Sequence, residues 1–183
     1  MFNNFKTSIF LFFCSIIFVS CNNNTQYENT NDQNKINLKQ PLEQANKHLL
    51  KTEETEIDDY INRYGWNMQT TNTGLRYMIY KKVDNNISPE KGSIVKINYT
   101  VSLINGITCY TSDSTGPKIF EIGKGQVESG LEEGILLLKK EEKAKFIIPS
   151  HLAFGLAGDL NKIPKKATLI YDVELIDVKN IIH

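Results

Sequence analysis

The sequence is too poor in cysteine to be held together by disulfides. Its 183 residues include three, Cys14, Cys21 and Cys109. That argues against a disulfide framework. Without a Cys-x-x-Cys or a histidine pair at ligand spacing, it argues against a structural zinc site as well. Charge of one sign is also lacking. Lys plus Arg and Asp plus Glu both number 21, giving a formal net charge of zero. The basic excess that marks a nucleic-acid binder is absent, and so is any internal repeat. What is present is ordinary: 40% hydrophobic and 23% charged residues, the usage of a globular chain, at a length that suits one domain. A wholly disordered or collagen-like chain is ruled out.

The one long apolar run lies at the N-terminus. Lys6 precedes Ile9 to Val19 (IFLFFCSIIFV), a stretch of signal-peptide length and too short to span a bilayer comfortably. Residues 1–20 therefore read as a signal peptide. Ser20-Cys21 at its end resembles the bacterial lipobox, in which the cysteine thiol takes a diacylglycerol and becomes the first mature residue. That resemblance implies lipidation of Cys21 and a lipid-anchored protein of the bacterial cell envelope whose domain faces the periplasm. Two or three acyl chains hold a protein at a membrane where one barely does. In that oxidising compartment Cys109 has no partner, and it is expected to be buried and inert.

Residues 21–41 read as a flexible tether, rich in Asn and too poor in apolar side chains to offset the cost of ordering. Residues 42–64 read as a helix. Leu42, Ala45, Leu49, Ile57, Tyr60, Ile61 and Tyr64 fall mostly at 3–4 spacing, while Lys51, Glu53, Glu54 and Glu56 face away. Pro41 suits its first turn, Gly65 suits C′, and Trp66 is expected to pack this extension, residues 42–66, onto the domain. The same helix, 42–64, is a candidate homodimer element. From residue 73 to 180 the rhythm is β. Leu75 to Tyr80, Ile94 to Leu103, Ile107 to Thr111, Lys118 to Ile122, Lys143 to Ile148 and Thr168 to Val178 read as strands, with Asn105-Gly106 as a tight hairpin turn. Gly130 to Lys139 reads as one short helix. The fold class is α+β, an antiparallel sheet with a helical N-terminal extension.

Within that framework the ordered set Tyr99, Asn105-Gly106, Phe120-x-Ile122-Gly123, Val127, Gly130-Leu131-Glu132-Glu133-Gly134, Ile148-Pro149, Leu152-Ala153-Phe154-Gly155, Ile163-Pro164 and Ala167 to Leu175 resembles the FKBP-type peptidyl-prolyl cis-trans isomerases over about residues 89–179. Arg63-Tyr64-Gly65-Trp66-x-Met68, Ser150-His151-Leu152-Ala153 and the lipobox are similar to the gliding-motility-associated FKBP-type lipoproteins. The resemblance implies a half-barrel sheet wrapped around the short helix with an apolar pocket between them. It implies catalytic roles for Tyr99, Tyr110, Phe154 and Tyr171. Phe120, Val127, Glu128, Leu131 and Ile163 would bind substrate, with the Glu128 backbone N–H donating to a substrate carbonyl. It implies proline-containing protein clients and calls for no cofactor or metal.

Four positions depart from the family pattern. Where Phe-Asp-x-Ser is usual the chain has Cys109-Tyr110-Thr111-Ser112. Cys109 and Tyr110 align with the Phe and Asp without a gap, or Tyr110 and Thr111 do with a one-residue slip; in both cases the pocket carboxylate is absent. Leu131 replaces the floor tryptophan, Glu128 the rim isoleucine and Phe154 the loop tyrosine. A second reading follows from these losses: a non-catalytic peptide-binding or chaperone-like module in a motility or secretion assembly.

Overall fold

Alternation in the longest strand decides which face of the sheet becomes the core. The computed structural model describes residues 30–180, so the signal segment and Cys21 lie outside the described residues. Among the described residues there are seven strands: β1 (Gln69–Thr70), β2 (Arg76–Lys81), β3 (Ile94–Leu103), β4 (Thr108–Thr111), β5 (Lys118–Glu121), β6 (Lys143–Ile148) and β7 (Leu169–Lys179). All pairings are antiparallel, in the order β1-β2-β6-β7-β3-β4, with β5 also on β3. Burial along β3 alternates residue by residue, as period-2 side chains on a half-buried strand require. Val95, Ile97, Tyr99, Val101 and Leu103 point to the inner face. The far edge of β3 is shared: β5 pairs with Ile94 to Ile97 and β4 with Thr100 to Ser102. Between them the chain makes a one-turn helix, α2 (Ser112–Thr115), capped at Thr111, whose side chain accepts from the Asp113 N–H.

The short helix α3 (Ser129–Leu136) lies against the inner face. It can approach closely because its sheet-facing side is partly glycine. A Cβ on Gly134 would stand 2.7 Å from the Phe146 ring, and one on Gly130 2.4 Å from Ile148 Cγ2. Leu131 and Ile135, on the same helix, fill the core between Phe146, Ile148, Tyr171 and Val173.

The chain divides into two compact units, residues 1–41 and 42–183. Of the first, residues 30–41 are described and are helical. Helix α1 is Thr30–Tyr64, so it begins upstream of the expected start. Pro41 lies inside it, where the ring removes one helical N–H. Of the expected tether, residues 30–41 are helical, and residues 21–29 lie outside the described residues. Within the second unit α1 docks on the outer face of the sheet. Ile57 and Tyr60 bury against Ile147 and Ile170, with Ile61, Trp66 and Met68 around them. Burying one such aliphatic side chain contributes about 1.5–3 kcal/mol. The helix closes at Gly65, φ +63°, with Gly65 N–H donating to Asn62 O and Trp66 N–H to Ile61 O, the 5→2 and 6→1 bonds of a glycine C-cap. Trp66 then stands 5.5 Å from Tyr60 and 5.2 Å from Tyr64, ring to ring, with Lys145 Nζ over it at 5.3 Å. Among the described residues no helix is long and apolar enough to cross a membrane.

Candidate active site

The inner-face positions of β3 and β7 set Tyr99 and Tyr171 side by side. Tyr99 is opposite Val173, and Val101 opposite Tyr171, so the two rings sit on adjacent strands with centroids 6.3 Å apart. Phe120 joins them from β5, Leu131 from α3 and Ile163 from the loop that links β6 to β7, all buried in one cluster. Tyr110, Val127 and Phe154 pack half-buried on its edge, and Glu128 is tied to it through Tyr171. The residues singled out in the described sequence therefore come together in one place.

The open part of this place is a cleft of about 420 Å³ lined by Lys118, Gly125, Gln126, Val127, Glu128, Ala153 and Phe154. That volume falls among ligand pockets, which run from about 300 to 1,000 Å³. Tyr99, Leu131 and Tyr171, expected to line the cavity beside Phe154, instead lie beneath it, at 8%, 0% and 2% exposure. Glu128 bonds to one of them. Its side chain does not stand on the rim as a solvated charge; it folds inward, and Tyr171 Oη–H donates to its Oε1 at 2.9 Å. The other carboxylate oxygen, Oε2, is buried without a hydrogen-bond partner. Burial, and then the Glu128 charge, push the Tyr171 phenol well above its ordinary pKa, so Tyr171 acts as a neutral donor.

A second carboxylate enters from the loop. Cys109 is buried in the core cluster, its thiol pushed up by burial and by the Asp159 charge. Tyr110 donates from Oη to Asp159 Oδ2 at 2.5 Å. Asp159 Oδ1 accepts the N–H groups of Asn161 at 2.9 Å and Ile163 at 2.7 Å, and Asn161 Nδ2 donates to Tyr110 Oη at 3.1 Å. Desolvation pushes the Asp159 carboxyl up, but these bonds outweigh it and hold the group below its ordinary range. No acid stands at position 110 or 111; Asp159 reaches Tyr110 from the loop, and Glu128 reaches Tyr171 from the rim. Sequence reasoning missed both bonds. The signal was there in the tyrosines, since Tyr110 and Tyr171 each carry a hydroxyl that must find a partner when buried.

The loop is also held at its base. Glu53 of α1, read from the sequence as a solvent-facing charge, accepts from Ser150 N–H at 2.6 Å, Ser150 Oγ at 2.9 Å and Thr168 Oγ1 at 2.7 Å. At the cleft mouth Lys118 Nζ lies over the Tyr99 ring, 5.4 Å from its centroid, and Tyr99 Oη and Thr115 Oγ1 share a hydrogen bond of 3.1 Å. Among the described residues no group of three or more His, Cys, Asp or Glu side chains could hold a metal ion.

The fold is an antiparallel sheet packed on one short helix, with aromatic rings buried beside a loop-rimmed cleft. The family profile of the FKBP-type peptidyl-prolyl cis-trans isomerases matches residues 85–176, and the chain belongs to that family. The FK506-binding protein 2 of Dictyostelium discoideum is 40% identical over 100 residues, covering 54% of this chain and 75% of that protein. The FKBP-type peptidyl-prolyl cis-trans isomerase FkpA of Buchnera aphidicola is 38% identical over 111 residues, 61% of this chain and 43% of that one. The crystal structure of FkpA from Escherichia coli superposes with a TM-score of 0.61 at 30% identity, over 82% of this chain and 70% of that chain.

Proposed function

We propose that this protein is a lipid-tethered isomerase that accelerates rotation about Xaa-Pro bonds in envelope or secreted clients, with the cleft above Tyr99, Leu131 and Tyr171 as its site. The observation that carries the reading is the apolar, aromatic cluster beneath a cleft rimmed by Val127, Glu128 and Phe154. Rotation about the bond breaks nothing covalent. Its barrier, about 18–20 kcal/mol, is amide resonance, and without help the bond turns over in tens to hundreds of seconds. The twisted transition state has lost that resonance and is less polar than the planar amide. An apolar site therefore binds it relatively better than water does, which is the differential binding that lowers a barrier.

In this reading Phe154 and Val127 hold the prolyl ring from the rim. The Glu128 N–H holds the carbonyl beside it, and Tyr99, Phe120, Leu131, Ile163 and Tyr171 form the wall behind. Tyr110 fixes the loop through Asp159. The inward Glu128 carboxylate must swing aside before a prolyl ring reaches Tyr171, which favours slow turnover. The lipobox at Ser20-Cys21 supports the envelope tether. An NMR exchange assay on Xaa-Pro peptides tests the chemistry. Clear line broadening or exchange cross-peaks above the uncatalysed rate support the isomerase, and binding of unfolded protein without acceleration supports a peptide-holding module instead.

A further inference from the structure

The loop from Ser150 to Thr168 carries Ala153 and Phe154, which line the cleft, and Ile163, buried in the aromatic cluster beside it. One carboxylate, that of Glu53, holds both of its ends: Ser150 through the backbone N–H and Oγ, and Thr168, itself buried, through Oγ1. Glu53 belongs to α1, outside the stretch that matches the family profile. Its position is set by the same helix one and two turns on, where Ile57 and Tyr60 are buried against Ile147 and Ile170. The loop has further ties: His151 Nε2 meets Thr73 O at 3.0 Å, and Ser129 Oγ donates to Leu152 O at 3.2 Å. Backbone also joins the loop's two sides, Lys166 N–H donating to Gly155 O at 2.8 Å and Ile148 pairing with Leu169 at the strand ends; Glu53 is the side chain that bonds to both stem residues, Ser150 and Thr168.

We infer that Glu53 is a positioning residue for the isomerase site, by which the N-terminal helix holds the Phe154 loop over the cleft. The inference rests on the assignment of Phe154 and Ile163 to that site. With both stems pinned, the loop is ready when a peptide arrives. With Glu53 removed, the closed loop is one of several populated arrangements. A binding-competent state present only in part weakens apparent affinity by that fraction, while the loop, once closed on a peptide, acts as before. The signature is a rise in KM with kcat preserved.

The test uses the full chain and short Xaa-Pro peptides. Glu53→Ala should raise KM roughly five- to tenfold and leave kcat within about twofold. Glu53→Gln keeps a carbonyl acceptor and an amide able to face Ser150 Oγ, and should restore most of the affinity. Ser150→Ala, which takes away one of the three bonds, should raise KM by less and add little on top of Glu53→Ala. It is also the variant to read if Glu53→Ala does not fold. Amide hydrogen exchange is measured in parallel: residues 151–167 should exchange faster in Glu53→Ala while β3 and β7 stay protected. A variant that melts earlier but keeps the wild-type KM and wild-type loop exchange overturns the inference. If the wild-type chain does not accelerate isomerisation, the proposed activity fails, and the exchange arm still decides whether Glu53 holds the loop.

Discussion

Separating Glu128 from Tyr171 should show that the two are coupled and that together they restrain the site. Tyr171 is 2% exposed and cannot turn to water, whereas Glu128 is half-buried on the rim. Glu128→Ile strands the Tyr171 hydroxyl, and a buried donor without a partner costs about 1–3 kcal/mol. The new aliphatic side chain offsets part of this, leaving a net loss near ~1–2 kcal/mol. Tyr171→Phe strands the carboxylate instead, which can swing outward, so the loss should be near ~1 kcal/mol. The double variant removes both polar partners and should be close to wild type in stability, a coupling of about 2 kcal/mol where independent sites add within roughly 0.3–0.5 kcal/mol. Urea unfolding of the four proteins measures it. Isomerisation by the double variant should exceed wild type, because the wall behind the cleft becomes apolar throughout. Additive losses with unchanged activity would refute the reasoning.

Other outcomes follow from the same geometry. Phe154→Ala should cost less than the ~3–5 kcal/mol of a fully buried phenylalanine yet sharply reduce isomerisation, and Phe154→Tyr should raise activity; melting curves beside rate assays check both. The Asp159 carboxyl is held below its ordinary value near ~3.9. Its anchoring of Tyr110 should therefore be fully present above about pH 4 and lost as pH falls through the depressed value, seen as faster amide exchange at Asn161 and Ile163 in acid only. Cys109, buried with a raised thiol pKa, should resist alkylation until the protein is unfolded. Palmitate labelling should mark the wild-type chain and disappear in Cys21→Ser.

The strands were legible because burial imposes a two-residue rhythm that Ile94 to Leu103 displays without interruption. The hairpin at Asn105-Gly106 was legible for a backbone reason: Gly106 has φ +88° and its N–H donates to Leu103 O. Helix α2 was missed because Ser112 to Thr115 carry no apolar side chain to set a period. It stands on local hydrogen bonds of Thr111, including Ser114 Oγ and Thr115 Oγ1 to its carbonyl. The upstream start of α1 was missed because Pro41 reads as a boundary, and a boundary signal does not tell which side the helix lies on. The buried cluster of Tyr99, Phe120, Leu131, Ile163 and Tyr171 was legible through the family pattern. The polar bonds that rearrange it were not. Glu53 and Thr168 lie 115 positions apart and Tyr110 and Asp159 lie 49 apart, and no spacing rule links a carboxylate to a hydroxyl across such distances.

Strands β6 and β7 serve both faces of the sheet at once. Phe146 and Ile148 in β6, and Leu169, Tyr171 and Val173 in β7, face the inner core, while Ile147 and Ile170 at alternate positions face α1. A slip of one residue in either strand would exchange these sets, sending ring-bearing positions to the helix and helix-docking isoleucines to the prolyl wall. The added helix thus acts as a register lock on the two strands that build the site. Mistranslated or engineered chains with one residue inserted in 144–147 or 170–173 should lose helix docking and peptide binding together, whereas an insertion at the exposed 105–106 turn should be absorbed with neither affected.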